Sequence, residues 1–470
     1  MKKLKQEEEI KQISDYKYGF NEGEVSTYKV QKGLNEDVVR EISKHKEEPQ
    51  WMLDYRLESL KVFDQKPQPS FGPDLNWVDF NDYYYYTEGA GKTVKTWDEI
   101  PDNIKRTFDR LGIPEAEKNF LAGINAQWDA RPVYERMNEE LEKQGVIFTD
   151  CDTALRKHPD LFKKYFGQLV KNDDNKYAAL NAAVWSGGTF IYVPSGVKLE
   201  KPLQAYFRIN YQSSGQFERT LIVVEDDAEL HYIEGCTAPI YSENNLHAAI
   251  VEIFVGKRAS VRYTTVQNWS DNVLNLVTKR SIVEEDGRME WIDGNIGSKV
   301  NMKYPSCILK GDRAQGDTIS IAVAKKGVYQ DAGSKMIHLG KETKSKIVSK
   351  SITFQGGTAN YRGLAYIGPD AINSKARVEC DTLILDNQSH SDTIPQNKVH
   401  NNQSQIEHEA TVSKVSEEQL FYLMSRGLDE QEALEIIVMG FLEPFTKELP
   451  LEYAVELNQL IKMDMEGSVG

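Results

Sequence analysis

Cysteine is scarce in this chain. Four occur in 470 residues, Cys151, Cys236, Cys307 and Cys380. They lie far apart and no CxxC occurs. That excludes a disulfide scaffold, a zinc ribbon and a ferredoxin-type pre-formed cluster site, and it fits a reducing, cytoplasmic setting. Long apolar runs are missing too. Nowhere do the ~18 apolar residues of a membrane span occur together, and Met1 to Ile10 lack the apolar segment of a secretory signal. Positive charge is in deficit: 57 Lys and Arg against 72 Asp and Glu give a net charge of −15. Nucleic-acid wrapping needs the opposite balance, whereas an acidic chain stays soluble and favours basic partner surfaces. GxxxxGK[ST], GxSxG and HExxH are all absent, so no motif points to a nucleotide hydrolase, a serine hydrolase or a zinc protease.

What is there falls into three stretches. Residues 1–186 read as mostly helical, with amphipathic segments at Val38 to His45, from Pro49 onward, at Trp97 to Leu111, Pro132 to Gln144, Leu155 to Phe166 and Asp173 to Trp185. A Pro-, Gly- and Tyr-rich connector at 64–91 contains Tyr83-Tyr84-Tyr85-Tyr86, either a contact surface or a loop packed on its own domain. Residues 187–409 change character. Val-, Ile-, Thr- and Tyr-rich runs alternate with polar residues between turns at Asp226-Asp227-Ala228, Lys257-Arg258-Ala259, Glu285-Asp286-Gly287, Asp312-Arg313-Ala314 and, after a longer gap, Pro369-Asp370-Ala371. A period of about 27–31 residues over some 220 residues without a helical pattern predicts stacked units, a β-helix rather than a single sandwich. Residues 410–470 are helical again. Ser416-Glu417-Glu418-Gln419 reads as a capping box and Asp429-Glu430-Gln431-Glu432 as a looser one, Gly427 ends the helix between them, and Pro450 opens a helix with Ala454, Leu457 and Ile461 on one face.

Soft chemistry centres on two places. Glu407-His408-Glu409 closes the β-rich region. If that segment is extended, the two carboxylates share a face and His408 takes the other. If it begins a helix, the acids simply suit the macrodipole. Cys380 alternates with Val378, Thr382 and Ile384, the face of a buried small hydrophobe; thiolate there would need a cation or metal. Cys236 stands where a strand runs into a turn, whereas Cys151 and Cys307 read as core. Alternation in Tyr206-Phe207-Arg208-Ile209-Asn210 would bury Phe207 and Ile209 and leave Arg208 and Asn210 in water. From these residues alone three classes remain open: a metal or sulfur scaffold, a polysaccharide-active β-helix enzyme, and a pure assembly protein.

The segments PQWMLDYRL, SGGTFIYVPSGV, YFRIN, YIEGC, QNW, VTKR, VECD, NNQSQIEHEA and ELPLEYAVELNQLI, in this order over essentially the whole chain, resemble the SufB/SufD family of the SUF iron–sulfur cluster assembly machinery, and within it the SufB scaffold subunits. The resemblance implies a mainly β fold, a right-handed parallel β-helix between helical N- and C-terminal domains. It implies a scaffold without catalysis of its own, in a complex with the SufC ATPase and the SufD paralogue. A cysteine desulfurase and its sulfur-transfer partner would supply sulfur, and apo-proteins would accept the transient iron–sulfur cluster; a reduced flavin is left open. Carried over motif by motif, Cys236 is the sulfur entry and Cys380 the assembly cysteine. Arg208, Asn210, Gln267, Trp269 and Lys279 line the sulfur path, which requires a polar interior. Glu409 is the carboxylate ligand, with Glu407 and His408 in support. The alternative within the family is a SufD-like assembly subunit without its own cluster site. The chain departs from some members in having no cysteine between Leu385 and Ile406, where it offers His390 and His400 instead.

Overall fold

The computed structural model describes residues 26–89, 121–209, 214–237 and 245–449, together with Ala454, Leu457, Asn458, Ile461, Lys462 and Met465. The helix read at Trp97 to Leu111, Asn210, and the start of the last helix at Pro450 lie outside the described residues. From Phe190 onward the chain winds through strands that pair in parallel with those one repeat away, building a β-solenoid of about seven turns. Its two walls are a ten-stranded and a thirteen-stranded sheet.

The corners explain the period. Asp227, Arg258, Asp286, Arg313, Glu342 and Asn373 all have φ between 54 and 60°, a left-handed conformation that side chains other than Asn and Asp seldom adopt. Stacking compensates: the Asp227 N–H donates to Lys257 O (2.8 Å), Arg258 to Glu285 O (2.9 Å), Asp286 to Asp312 O (3.0 Å), Arg313 to Lys341 O (2.8 Å) and Glu342 to Ile372 O (2.9 Å). Side chains bind the same column, Arg258 reaching back 31 residues to Asp227 and Arg313 back 27 to Asp286. The long gap in the sequence pattern is thus an unrecognised corner at Glu342, and the final corner residue is Asn373 rather than Asp370.

The N-terminal region is helical as read, except at one segment. Val38 to His45 and the helix from Pro49 hold, as Glu36–His45 and Gln50–Gln65, and Leu155 to Phe166 splits into Cys151–Lys157 and Pro159–Tyr165. Pro132 to Gln144, however, divides into a strand and the short helix Glu139–Lys143. Arg131–Met137 pairs antiparallel with Gly123–Trp128, which joins the ten-stranded sheet beside Leu203–Arg208. Sheet pairing here overrides a weak helical period. Tyr83, Tyr85 and Tyr86 are buried against the chain's own core, so the tyrosine run is a packed loop. In PQWMLDYRL, Trp51 and Tyr55 meet Phe166 edge-on, while buried Arg56 binds Glu48 and the carbonyls of Ala183 and Trp185. That motif anchors the helix to the segment entering the solenoid. There Gly188, at φ +82°, passes so close to Arg219 that a Cβ would lie 2.2 Å from its carbonyl oxygen.

At the other end, the helices Glu417–Met424 and Glu430–Thr446 follow the last strand. The full reciprocal capping box is the second one, Asp429 with Glu432; at the first, Ser416 caps Gln419 N alone. Leu434, Val438, Leu442 and Phe445, with Leu457 and Ile461, pack on Val266, Ile292, Ile321 and Ile352. These face outward from the ten-stranded sheet, opposite in alternation to Cys236 and Asp293. Among the described residues no helix is long and apolar enough to cross a membrane.

Candidate sulfur and cluster site

Parallel pairing in constant register lines residues into rows across the solenoid. One row of the ten-stranded sheet runs Glu234, Thr265, Asp293, Ser320, Ser349, Cys380. The row two positions further on runs Cys236, Gln267, Asn295, Ala322, Ser351, Thr382. Successive residues of a strand alternate faces, so both rows lie on one side. That side is the interior, where Cys236 and Cys380 belong to a single buried cluster. Two nearly unbroken polar rows therefore link the strand of Cys236 to the strand of Cys380. Five strand spacings separate them, roughly 24 Å at about 4.8 Å each.

Cys236 is fully buried, and its thiol faces Glu234 Oε1 at 3.8 Å. Burial pushes the thiol well above its ordinary pKa, helped by Glu234 and Glu218 and opposed by Lys279 and Lys303. Beside it, Lys279 Nζ donates to Thr265 Oγ1 (2.7 Å) and Asp293 Oδ1 (2.9 Å), and Lys303 Nζ donates to Gln267 Oε1 (3.1 Å) and Asp293 Oδ1 (3.1 Å). Burial alone would raise the Asp293 carboxyl, but the two lysines outweigh it and hold it at about 2. Burial lowers Lys303 to about 8 against the pull of Asp293. His247 pairs with Glu218 and with Asn275; burial disfavours its imidazolium, yet these partners raise its pKa. Trp269 packs against His247 with ring centres 4.8 Å apart. Asn275 passes the network to Gln267 (2.9 Å) and Asn301 (2.7 Å), and Asn301 to Gln330 (2.7 Å).

Arg208 is buried, not solvent-exposed as simple alternation suggests. It shares its row with Thr237, the neighbour of Cys236, and so alternates to the face opposite the thiol. Gln267, Trp269 and Lys279 belong to the interior group. Cys151 donates to Arg219 O at 2.8 Å, and Cys307 accepts from Trp291 Nε1 at 3.2 Å; both are buried core thiols, as the sequence indicated.

The far end is built differently. Glu407-His408-Glu409 lies in the strand Gln405–Lys414, the open edge of the ten-stranded sheet, and the helix starts only after Ser416. His408 pairs with Val378 and Glu409 with Glu379, so His408 alternates to the Cys380 face and both carboxylates to the other. His408 Nε2 stands 3.8 Å from Cys380 Sγ, and its Nδ1 faces the Asn397 side-chain amide at 3.2 Å. Within this chain it is His408, not Glu409, that meets the thiol. Burial raises Cys380 to about 12, partly relieved by the Tyr361 hydroxyl, and lowers His408. Among the described residues no three His, Cys, Asp or Glu side chains converge as a metal site, so this end offers two soft ligands and an open edge.

Two family models together cover most of the chain. Residues 43–205 match the family model described as SufBD protein N-terminal region, and residues 207–441 match SUF system FeS cluster assembly, SufBD core domain. The chain belongs to the SufB/SufD family of iron–sulfur cluster assembly proteins. It is 59% identical over 458 residues to the iron-sulfur cluster assembly protein SufB of Bacillus subtilis, and 60% identical to an iron-sulfur cluster assembly SufBD family protein of Staphylococcus epidermidis, in each case covering 97% of this chain and 98% of the relative.

The sequence reading missed Glu218, Glu234, His247, Asp293 and Lys303. A signal for part of this set existed. Glu234, Thr265, Asp293, Ser320, Ser349 and Cys380 each stand seven positions after a left-handed corner residue, from Asp227 to Asn373. Aligning the repeats on their corners would have placed them in one row.

Proposed function

We propose that this chain is a scaffold on which iron–sulfur clusters are built, with sulfur loaded at Cys236 and a nascent cluster started at Cys380. The observation that carries the reading is the pair of polar interior rows joining the two cysteines. An inert solenoid core gains nothing from aligned Glu, Asp, Thr and Ser, because each buried polar group must be hydrogen-bonded to offset its desolvation. Cys380 and His408 at the open edge give iron and sulfide an incomplete pair of ligands. Glu407 and Glu409, on the exposed face of the edge strand, serve as iron ligands only in a site shared with a second chain. A SufD-like paralogue suits that edge, where Thr393–Val399 and Gln405–Lys414 are mostly exposed. Phe421, 73% exposed, Tyr422 and Met424 stand out from the first C-terminal helix, beside a groove of about 470 Å³ that includes Tyr422, Leu423, Ile436 and Ile437. That surface suits a SufC-type ATPase. A cysteine desulfurase with its transfer partner would load Cys236, and apo-proteins would receive the finished cluster.

The test is anaerobic co-expression with the partner subunits. Cys236→Ser should abolish persulfide labelling on the chain. Cys380→Ala should abolish the visible absorption of the assembled complex while leaving its circular dichroism unchanged. Normal absorption from the Cys380→Ala complex would sink the scaffold assignment and favour a SufD-like structural subunit.

A further inference from the structure

The Lys279–Asp293–Lys303 cluster is unbalanced. Both ammonium groups bind the same oxygen, Asp293 Oδ1, and Oδ2 has no hydrogen-bond partner. All three groups are essentially without solvent exposure. Two cations against one carboxylate leave one positive charge in the interior, where an uncompensated charge is expensive. The other titratable groups facing it are few. Glu218 is paired with His247. Tyr263 donates to Glu234 Oε2 at 2.5 Å, and Glu234 Oε1 faces the Cys236 thiol. The missing negative charge therefore has two possible seats, the Glu234 carboxylate or the sulfur of Cys236, and one proton decides between them.

From this we infer that Lys303 is the second half, with Lys279, of a cation box that holds an anionic sulfur on Cys236, with Glu234 as the reservoir for the displaced proton. The inference rests on Cys236 as the sulfur-loading residue. In the loading step the Cys236 S–H proton passes to Glu234 Oε1. The thiolate then attacks the outer sulfur of a donor persulfide or polysulfide. A new S–S bond forms at Cys236, the donor's own S–S bond breaks, and the donor's inner sulfur leaves as a thiolate. No net oxidation occurs, and the two lysines keep the charge in the box constant throughout. Gln267, the register neighbour of Cys236, ties Lys303 to the strand beside the thiol through its Oε1. Lys303 is thus a positioning and charge-compensating residue of the loading site.

A purely structural Lys303 and one that serves an anion make opposite predictions about stability. Lys303→Met leaves Asp293 paired one-to-one with Lys279, and the box stays neutral once Glu234 and Cys236 are both protonated. We expect its melting temperature to be equal to or above that of the wild type, the pattern of a function held at a cost in stability. Persulfide loading of the full chain with inorganic polysulfide, read by alkylation and intact mass, should fall about tenfold at pH 7, the size of one pKa unit in the sulfur acid. The loading–pH curve should move to higher pH, and Lys303→Arg should restore it. Lys303 titrates at about 8 in the folded chain and near 10.4 when unfolded, so the unfolded chain holds more protons in that window. Stability should therefore rise with pH between about 8 and 10.4 in the wild type, and this rise should be smaller in Lys303→Met. Wild-type loading and an unshifted pH curve in a folded Lys303→Met protein would overturn the inference. A lowered melting temperature with unchanged loading would overturn it in favour of a structural lysine. If the wild type itself takes no label at Cys236, the loading reading fails and this inference with it.

Discussion

The two ends of the solenoid hold their cysteines in opposite ways. Around Cys236 the described polar neighbours are buried, and two lysines share one carboxylate beside the thiol. Around Cys380 the last strands are exposed, the imidazole of His408 is half-buried, and the sheet has an unpaired edge. A sealed, charge-organised pocket can hold a reactive anion away from water. An open edge with two ligands can be completed by another chain and then emptied. On the proposed reading, the first end would hold sulfur in place and the second would be shared.

The contrast should show most strongly in stability. Arg219 and Glu252 form an ion pair at the closed end with no solvent exposure, and Glu252 also takes the amides of Gly167, Leu169 and Val170. Arg219→Ala leaves a buried carboxylate without its cation and should cost about 3–5 kcal/mol in chemical denaturation. A loss under 1 kcal/mol would mean that the closed end is wetter than described. At the open end, His408→Ala should change the denaturation midpoint little, because the ring is partly exposed at an edge strand. It should nonetheless lower cluster absorption of the assembled complex several-fold, with Asn397→Ala having a weaker effect in the same direction through ring orientation. Equal cluster yield in both variants would dissolve the distinction between the two ends. Smallest of all, Asp227→Asn weakens one solvent-exposed rung of the corner column and should leave the thermal midpoint within error, since surface ion pairs contribute little.

Much of this was legible in the sequence for a physical reason. Corners carry charged turn residues at a regular spacing because each stacks on the one a repeat away, Arg258 on Asp227 and Arg313 on Asp286, so the solenoid declared itself through Asp227, Arg258, Asp286 and Arg313. Glu342 was overlooked because its turn lacks the Asp or Arg of the others, although Gly340 precedes it as Gly256 precedes Arg258 and Gly311 precedes Arg313; the amide of Glu342 bonding to Ile372 O fixes it. The Arg131–Met137 strand was hidden although its partner Gly123–Trp128 is next to it in sequence, because what holds that pair as sheet is the pairing of Gly123–Trp128 with the distant Leu203–Arg208. At the site, motif resemblance pointed to Cys236, Cys380 and Lys279, whereas Asp293 and Lys303 emerge only when repeats are laid side by side. The order within Glu407-His408-Glu409 was decided by alternation: once the segment is a strand paired to Lys375–Ile384, only the middle residue can face Cys380.

The constant register has one more consequence. A stack of repeats is a length standard, and the spacing between its two thiols comes in whole steps. Excising one complete repeat, corner to corner, would bring Cys236 and Cys380 nearer by a single strand spacing of about 4.8 Å and leave every remaining pair in step, whereas removing half a repeat would break the rows altogether. Natural or engineered variants of this chain can therefore change the reach between Cys236 and Cys380 only by counting turns.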